Sequence, residues 1–241
     1  MIVGIDVSKY QGVINWNQVV ASGLVGFAFC KATESTGAID SQFHANWHGI
    51  KSVGLARGAY HFAHTGNDPI READNFVNTL GQVDLADMLC LDVEVTNLTG
   101  WPFTNWVLTW LERVESRTGC IPIIYTGGPF FNTHDGNPDP VTMQKLARYP
   151  LWLAAYVVNP TAYVPDVWKR LGWKFWQRSG DVAAPGDTVL HVPGIAGAVD
   201  KDVWNGTLDE LRVFALNLHS GQSNPFSTAT NIITGSNDPV A

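Results

Sequence analysis

The sequence predicts an α/β chain built as an irregular (β/α)-barrel of eight strands, with incomplete helix cover in its C-terminal part. Three observations carry that prediction. Eight short β-rich runs recur, at 2–7, 26–31, 56–62, 88–95, 122–125, 151–156, 174–177 and 197–200. Helix-length segments with 3.6-type periodicity, 43–53, 69–80 and 106–118, lie between the early runs, the pattern of parallel strands joined by crossover helices. After Leu151 the spacing shortens and the helical signals weaken. With 241 residues, 45% of them apolar, one barrel-sized core is the natural fit.

The first strand, Ile2-Val3-Gly4-Ile5-Asp6, follows Met1 directly and leaves no room for a basic segment plus an apolar signal core. The expectation is a protein that leaves its cell by another route, or one whose signal has been removed. The fourth run, Met88-Leu89-Cys90-Leu91-Asp92-Val93-Glu94-Val95, is the most informative. Strand side chains alternate, so Asp92 and Glu94 share a face with Cα atoms roughly 6.5 Å apart. An exposed strand edge would also carry such a pair, but the flanking Met, Leu, Cys, Leu and Val argue for burial. Two carboxylates buried together resist ionisation, so one keeps its proton to higher pH, as a general acid near neutrality must.

The stretch 127–140 is rich in turn residues and predicts a long loop at the barrel's C-terminal rim. Residues 207–216 read as a closing helix, with Thr207 and Glu210 spaced for a capping box. A domain over 1–220 should therefore be followed by a linker-like or flexible tail, 221–241, rich in Ser, Thr, Asn, Gly and Pro with Asp238 its only charge. In barrels of this class chemistry gathers where strands end at the C-terminal face. Asp6, Lys31 and Glu34, Tyr60 and His61, Asp92 and Glu94, Tyr125, Tyr156, Gln177 and Asp200 all sit at such ends.

Composition excludes several classes. Net charge is −7 and the basic residues are scattered, so no nucleic-acid surface is expected. No window reaches the eighteen or so apolar residues of a membrane span; the nearest, 19–30, carries Ser22, Gly23 and Gly26. Cys30, Cys90 and Cys120 read as small core residues, without the spacing of a zinc site. His61 and His64 flank Phe62-Ala63 with no acids at ligand spacing and read as structural. No metal or other cofactor is expected.

Seven ordered motifs carry a resemblance. They are Asp6-Val7-Ser8 with Gln11-Gly12 and Trp16; Phe29-Cys30-Lys31-Ala32-Thr33-Glu34; Gly58-Ala59-Tyr60-His61-Phe62; Leu91-Asp92-Val93-Glu94; Leu151-Trp152-Leu153-Ala154-Ala155-Tyr156; Trp176-Gln177; and Gly197-Ala198-Val199-Asp200. In this order, over about residues 2–212, the chain resembles glycoside hydrolase family 25, the Chalaropsis-type lysozymes. The resemblance implies a muramidase cleaving the β-1,4 bond between N-acetylmuramic acid and N-acetylglucosamine, on a barrel with incomplete helix cover. It carries the family's acidic positions to Asp6, Asp92, Glu94 and Asp200. Lys201-Asp202-Val203-Trp204 departs from the more usual apolar-Asn-x-Phe, and Asp200 rather than Asp202 is kept as the match.

Glycosidic cleavage needs protonation of the leaving oxygen and stabilisation of positive charge at the anomeric carbon. Glu94, longer and last on its strand, is the expected general acid. Two carboxylates side by side on one strand do not flank a sugar, and they suit substrate assistance better. There the N-acetyl oxygen attacks while Asp92 orients the acetamide N–H. Asp6 and Asp200 would raise the Glu94 pKa; activation of water by either from the opposite face, giving inversion, stays open. Tyr60, Tyr125, Trp152, Tyr156 and Trp176 are candidate sugar-stacking residues, and Gln177 a candidate acetamide partner.

The expected partner is bacterial peptidoglycan, met by a monomer, either phage-encoded and released from the host cytoplasm or secreted. A wall-binding module missing beyond the tail would add affinity that the acidic surface does not. A chitinase-like acetamido-sugar hydrolase is the first alternative, although 86–90 lacks most of the alternating acids such a barrel carries. A non-catalytic wall-binding lectin is the second.

Overall fold

Alternating inward side chains and short connections close eight strands into a barrel. The computed structural model describes residues 1–180, 185 and 188–219, so the tail 221–241 lies outside the described residues. In chain order the strands are β1 (Ile2–Val7), β2 (Phe27–Glu34), β3 (Ala38–Ile39), β4 (Ala56–Phe62), β5 (Met88–Asp92), β6 (Ile123–Gly127), β7 (Leu151–Ala154), β8 (Phe175–Ser179) and β9 (Asp200–Trp204). The sheet order is β1-β9-β8-β7-β6-β5-β4-β2-β3, and a β1–β2 pairing closes it. β3 is a two-residue hairpin partner of β2 outside the ring.

Seven α-helices accompany them among the described residues: α1 (Trp16–Ala21), α2 (Phe43–Ser52), α3 (Pro69–Leu80), α4 (Trp101–Thr118), α5 (Gly128–His134), α6 (Pro140–Ala147) and α7 (Leu208–Asn217). Their starts follow local chemistry. Asp68 accepts from the backbone N–H groups of Ile70 and Arg71, and Pro69 opens α3 with its φ preset. Thr207 and Glu210 form the expected capping box of α7. α4 starts five residues earlier than its periodicity indicates, with Pro102 in its first turn, and stops at the left-handed Gly119.

Two expectations are corrected. The stretch 127–140 is not a long loop: it contains α5, with Pro129 in its first turn, and the start of α6, capped by Asp139 with Pro140 at the first position. Pro and Asp there punctuate helix starts, not turns. The last strand is Asp200–Trp204, not 197–200, and it runs antiparallel to both β1 and β8. Its beginning therefore lies at the rim where the parallel strands finish, which delivers Asp200 to that face from the opposite chain direction.

The interior is layered. Phe27, Phe175 and Trp204 fill the lower part, and Phe29 packs on Trp152 with ring centroids 4.5 Å apart above them. Gly4 and Gly58 make room for these rings; a Cβ at either would sit 2.2 Å from Phe27 or Phe29. All three cysteines are free and buried in the core. His61 is fully buried, bonded to Thr33 at 2.7 Å and Glu72 at 2.9 Å, and stacked on Trp110. No described helix is long and apolar enough to cross a membrane.

Candidate active site

Above the aromatic layers the inward positions turn polar, and a cavity of about 560 Å³ opens at the C-terminal rim. Each lining acid arrives through its register. Asp6, next to last on β1, pairs with Asp200 at the start of β9, and Asp92 ends β5 between Phe62 of β4 and Tyr125 of β6. Glu94 lies two residues past the end of β5 and lines the same cavity. Lys31, Tyr60, Tyr125, Trp152 and Gln177 complete most of the wall. The four acidic side chains singled out in the sequence thus converge.

Asp92 is buried, and its Oδ1 has no hydrogen-bond partner. Burial, then the charges of Glu94 and Asp6, push its carboxyl well above the ordinary Asp range, with Lys31 opposing. Glu94, by contrast, is exposed, so the expected burial holds for Asp92 alone. Partial desolvation raises Glu94, again against Lys31. Asp6 is pushed to about 6 by burial, with hydrogen bonds from Gln177 and Asp202 pulling it back and Glu94 adding to the rise.

Gln177 organises the wall. Its Nε2 donates to Asp6 Oδ2 at 2.8 Å and Asp200 Oδ2 at 3.4 Å, while Oε1 accepts from Tyr125 at 2.8 Å and Tyr156 at 2.9 Å. Both ends of the amide are thereby engaged, which ties it to the acids instead of leaving it for an acetamide. Tyr156 reaches the site through this bond and is half exposed at the rim. Trp152 is almost fully buried, bridging the cavity to the aromatic core. Trp176 does not line the cavity: strand alternation turns it outward, where Nε1 donates to Ala155 O.

Sequence reasoning overlooked Tyr10, an exposed ring on the cavity wall in the short helical turn after β1. Asp202, passed over in favour of Asp200, is fully buried on the same face of β9. The two-residue spacing of Asp200 and Asp202 was the available signal.

Comparison with known proteins identifies the family. The profile of Glycosyl hydrolases family 25 matches residues 5–187. The chain is 35% identical over 218 residues to the Escherichia coli K12 protein YegX, covering 88% of this chain and 73% of that one. It is 33% identical over 233 residues to Lysozyme M1 of Streptomyces globisporus, covering 90% of this chain and 72% of that one. Among solved structures, the bacterial lysozyme from Streptomyces coelicolor superposes with a TM-score of 0.78 at 31% identity, covering 90% of this chain and 98% of the other. With the barrel, the acid-lined cavity and a profile match over most of its length, this chain belongs to glycosyl hydrolases family 25 and is a glycoside hydrolase.

Proposed function

We propose that the protein is a muramidase that hydrolyses the β-1,4 bond between N-acetylmuramic acid and N-acetylglucosamine in bacterial peptidoglycan. Glu94 serves as general acid and then general base, and Asp92 holds the substrate N-acetyl group. The observation that carries this reading is the pairing of an unpartnered, buried Asp92 Oδ1 with an exposed Glu94 in one cavity. A buried carboxylate oxygen without a donor is costly, and an acetamide N–H supplies one.

Binding then moves a proton. Before substrate arrives, burial favours a proton on Asp92. The acetamide N–H stabilises the Asp92 carboxylate, so the pair's proton passes to Glu94, which stands at the cavity mouth where a leaving oxygen arrives. The oriented N-acetyl oxygen attacks the anomeric carbon as Glu94 protonates the departing sugar, and water opens the resulting ring with Glu94 as base. Asp6 and Asp200, anchored by Gln177, supply negative potential towards the developing positive charge. Tyr10 and Tyr60 offer ring faces to the sugars, and Tyr125, Trp152 and Tyr156 keep Gln177 and the wall in place. Residues 1–220 act as a catalytic unit that works as a monomer on the wall, with 221–241 a linker by composition.

Replacing Glu94 by Gln or Asp92 by Asn keeps shape and removes charge. Glu94→Gln should lower the rate of wall lysis by about 10²–10⁴-fold, the usual worth of a general acid, with an unchanged circular dichroism spectrum. Lysis by Glu94→Gln at the wild-type rate would remove Glu94 from the mechanism.

A further inference from the structure

Asp202 is the buried titratable group that this mechanism leaves unused. Its side chain is 0% exposed. Oδ1 accepts from Trp152 Nε1 at 2.9 Å, whereas Oδ2 meets no N–H or O–H donor among the described residues. Its register places it opposite Gly4 on β1 and Gln177 on β8, one inward step below Asp200 and diagonal to Asp6, with which it is in hydrogen-bond contact. Two carboxylates can share a hydrogen bond only if one of them carries a proton.

We propose that Asp202 is a positioning acid: its Oδ2 carries a proton in the resting protein and donates it to Asp6, fixing Asp6 as a hydrogen-bonded carboxylate on the cavity wall. Gln177 Nε2 donates to Asp6 as well, so Asp6 is held by two donors while Trp152 fixes the far side of Asp202. Asp6 and Asp200 are the charged groups that act on Asp202, and the Asp202 charge in turn bears on Cys90 of β5 and on Tyr156 after β7. Asp92, Glu94 and Tyr125 act on Asp6 or on the cavity they share, and Lys31 is the one cation among the cavity-lining residues. An anionic Asp202 would face the charges of Asp6 and Asp200, and burial holds its proton on. When that proton leaves, Asp6 loses a donor and gains a repelling neighbour.

This inference rests on Asp6 belonging to the active cavity, and it is tested without turnover. Asp202→Asn keeps a donor towards Asp6 and an acceptor for Trp152 but cannot ionise. Asp202→Leu provides neither. An acid protonated in the folded state costs stability as pH rises above its unfolded pKa, near 4. The Tm of Asp202→Asn should therefore gain on wild type from pH 4 to pH 8, by roughly 3–5 °C for each unit by which folding raises the Asp202 pKa. Asp202→Asn should keep most of the wild-type kcat with KM little changed, and Asp202→Leu should lose more activity than Asp202→Asn at every pH. A constant Tm gap from pH 4 to pH 8, or an Asp202→Leu protein as active as Asp202→Asn, overturns the proposal. Should Asp202→Leu fail to fold, the carboxyl ¹³C signal of Asp202 in the wild type decides: protonated at pH 6 supports the proposal, ionised refutes it. The Tm gap persists in a Glu94→Gln background even if the muramidase reading fails.

Discussion

Removing the ammonium of Lys31 should move the whole pH profile of wall hydrolysis towards alkali. Lys31 projects from β2 into the cavity, where its charge lowers the pKa of both Asp92 and Glu94. Its side chain is only 15% exposed; it packs on the Phe62 ring at 4.6 Å and pairs with Glu34 at 2.6 Å. Two unit charges placed about 8 Å apart in an effective dielectric near 20 interact by about 2 kcal/mol, equivalent to about 1.5 pH units. The Glu34 charge cancels part of this, leaving roughly one unit. Lys31→Met keeps the stem length and removes the charge, so both carboxyls hold their protons to higher pH. The acid limb, set by ionisation of the pair, and the alkaline limb, set by loss of the general-acid proton, should each rise by about one pH unit. Glu34→Gln removes an anion that raises Asp92 and should shift the acid limb the other way. Initial rates of wall solubilisation from pH 3 to pH 9 read both limbs. A Lys31→Met profile that stays in place, or moves towards acid, would refute the electrostatic reasoning.

Other consequences follow from burial. Asp6 is pushed to about 6 in the folded protein, above its unfolded value near 4, so its contribution to stability falls as pH rises through that window and is constant above it. Asp6→Asn should thus be inactive yet more stable than wild type at pH 8, by about 2–3 kcal/mol, with the gap closing at pH 4 in thermal melts. Arg57 bonds the buried Asp87 at 2.8 and 2.7 Å and stacks over Trp47 at 3.5 Å, near the start of β4 and away from the cavity. Arg57→Ala leaves Asp87 without its counter-ion, the Asp84 N–H still donating to it, and should cost about 3–5 kcal/mol in denaturant titrations, while KM stays unchanged. Tyr125→Phe removes one of two donors to Gln177 Oε1 and should lower the lysis rate several-fold without unfolding, measured by lysis rate and circular dichroism together.

Much of the barrel was legible because its strands combine apolar alternation with turn residues at regular spacing. Strand ends carrying polar residues pointed to the rim, and Asp6, Asp92, Glu94 and Asp200 meet there. The misreadings have physical causes. Asp200-Lys201-Asp202 alternates charges inside a barrel, so β9 carries no hydrophobic signature and its antiparallel direction is invisible locally. Gly128-Pro129 and Asp139-Pro140 resemble turns until tertiary packing lets them open helices. Trp176 shares a motif with Gln177, but adjacent strand residues face opposite ways, so only one can reach the cavity. Asp202 was passed over because the family's acidic position falls on Asp200, and its surroundings emerge only once β1, β7 and β8 are beside it.

The cleavage assignment is tested most directly by the new chain end. Purified peptidoglycan digested to completion, reduced with borohydride and analysed by mass spectrometry should yield reduced N-acetylmuramic acid at every enzyme-made terminus. Reduced N-acetylglucosamine, or released peptide with intact glycan strands, would contradict the account.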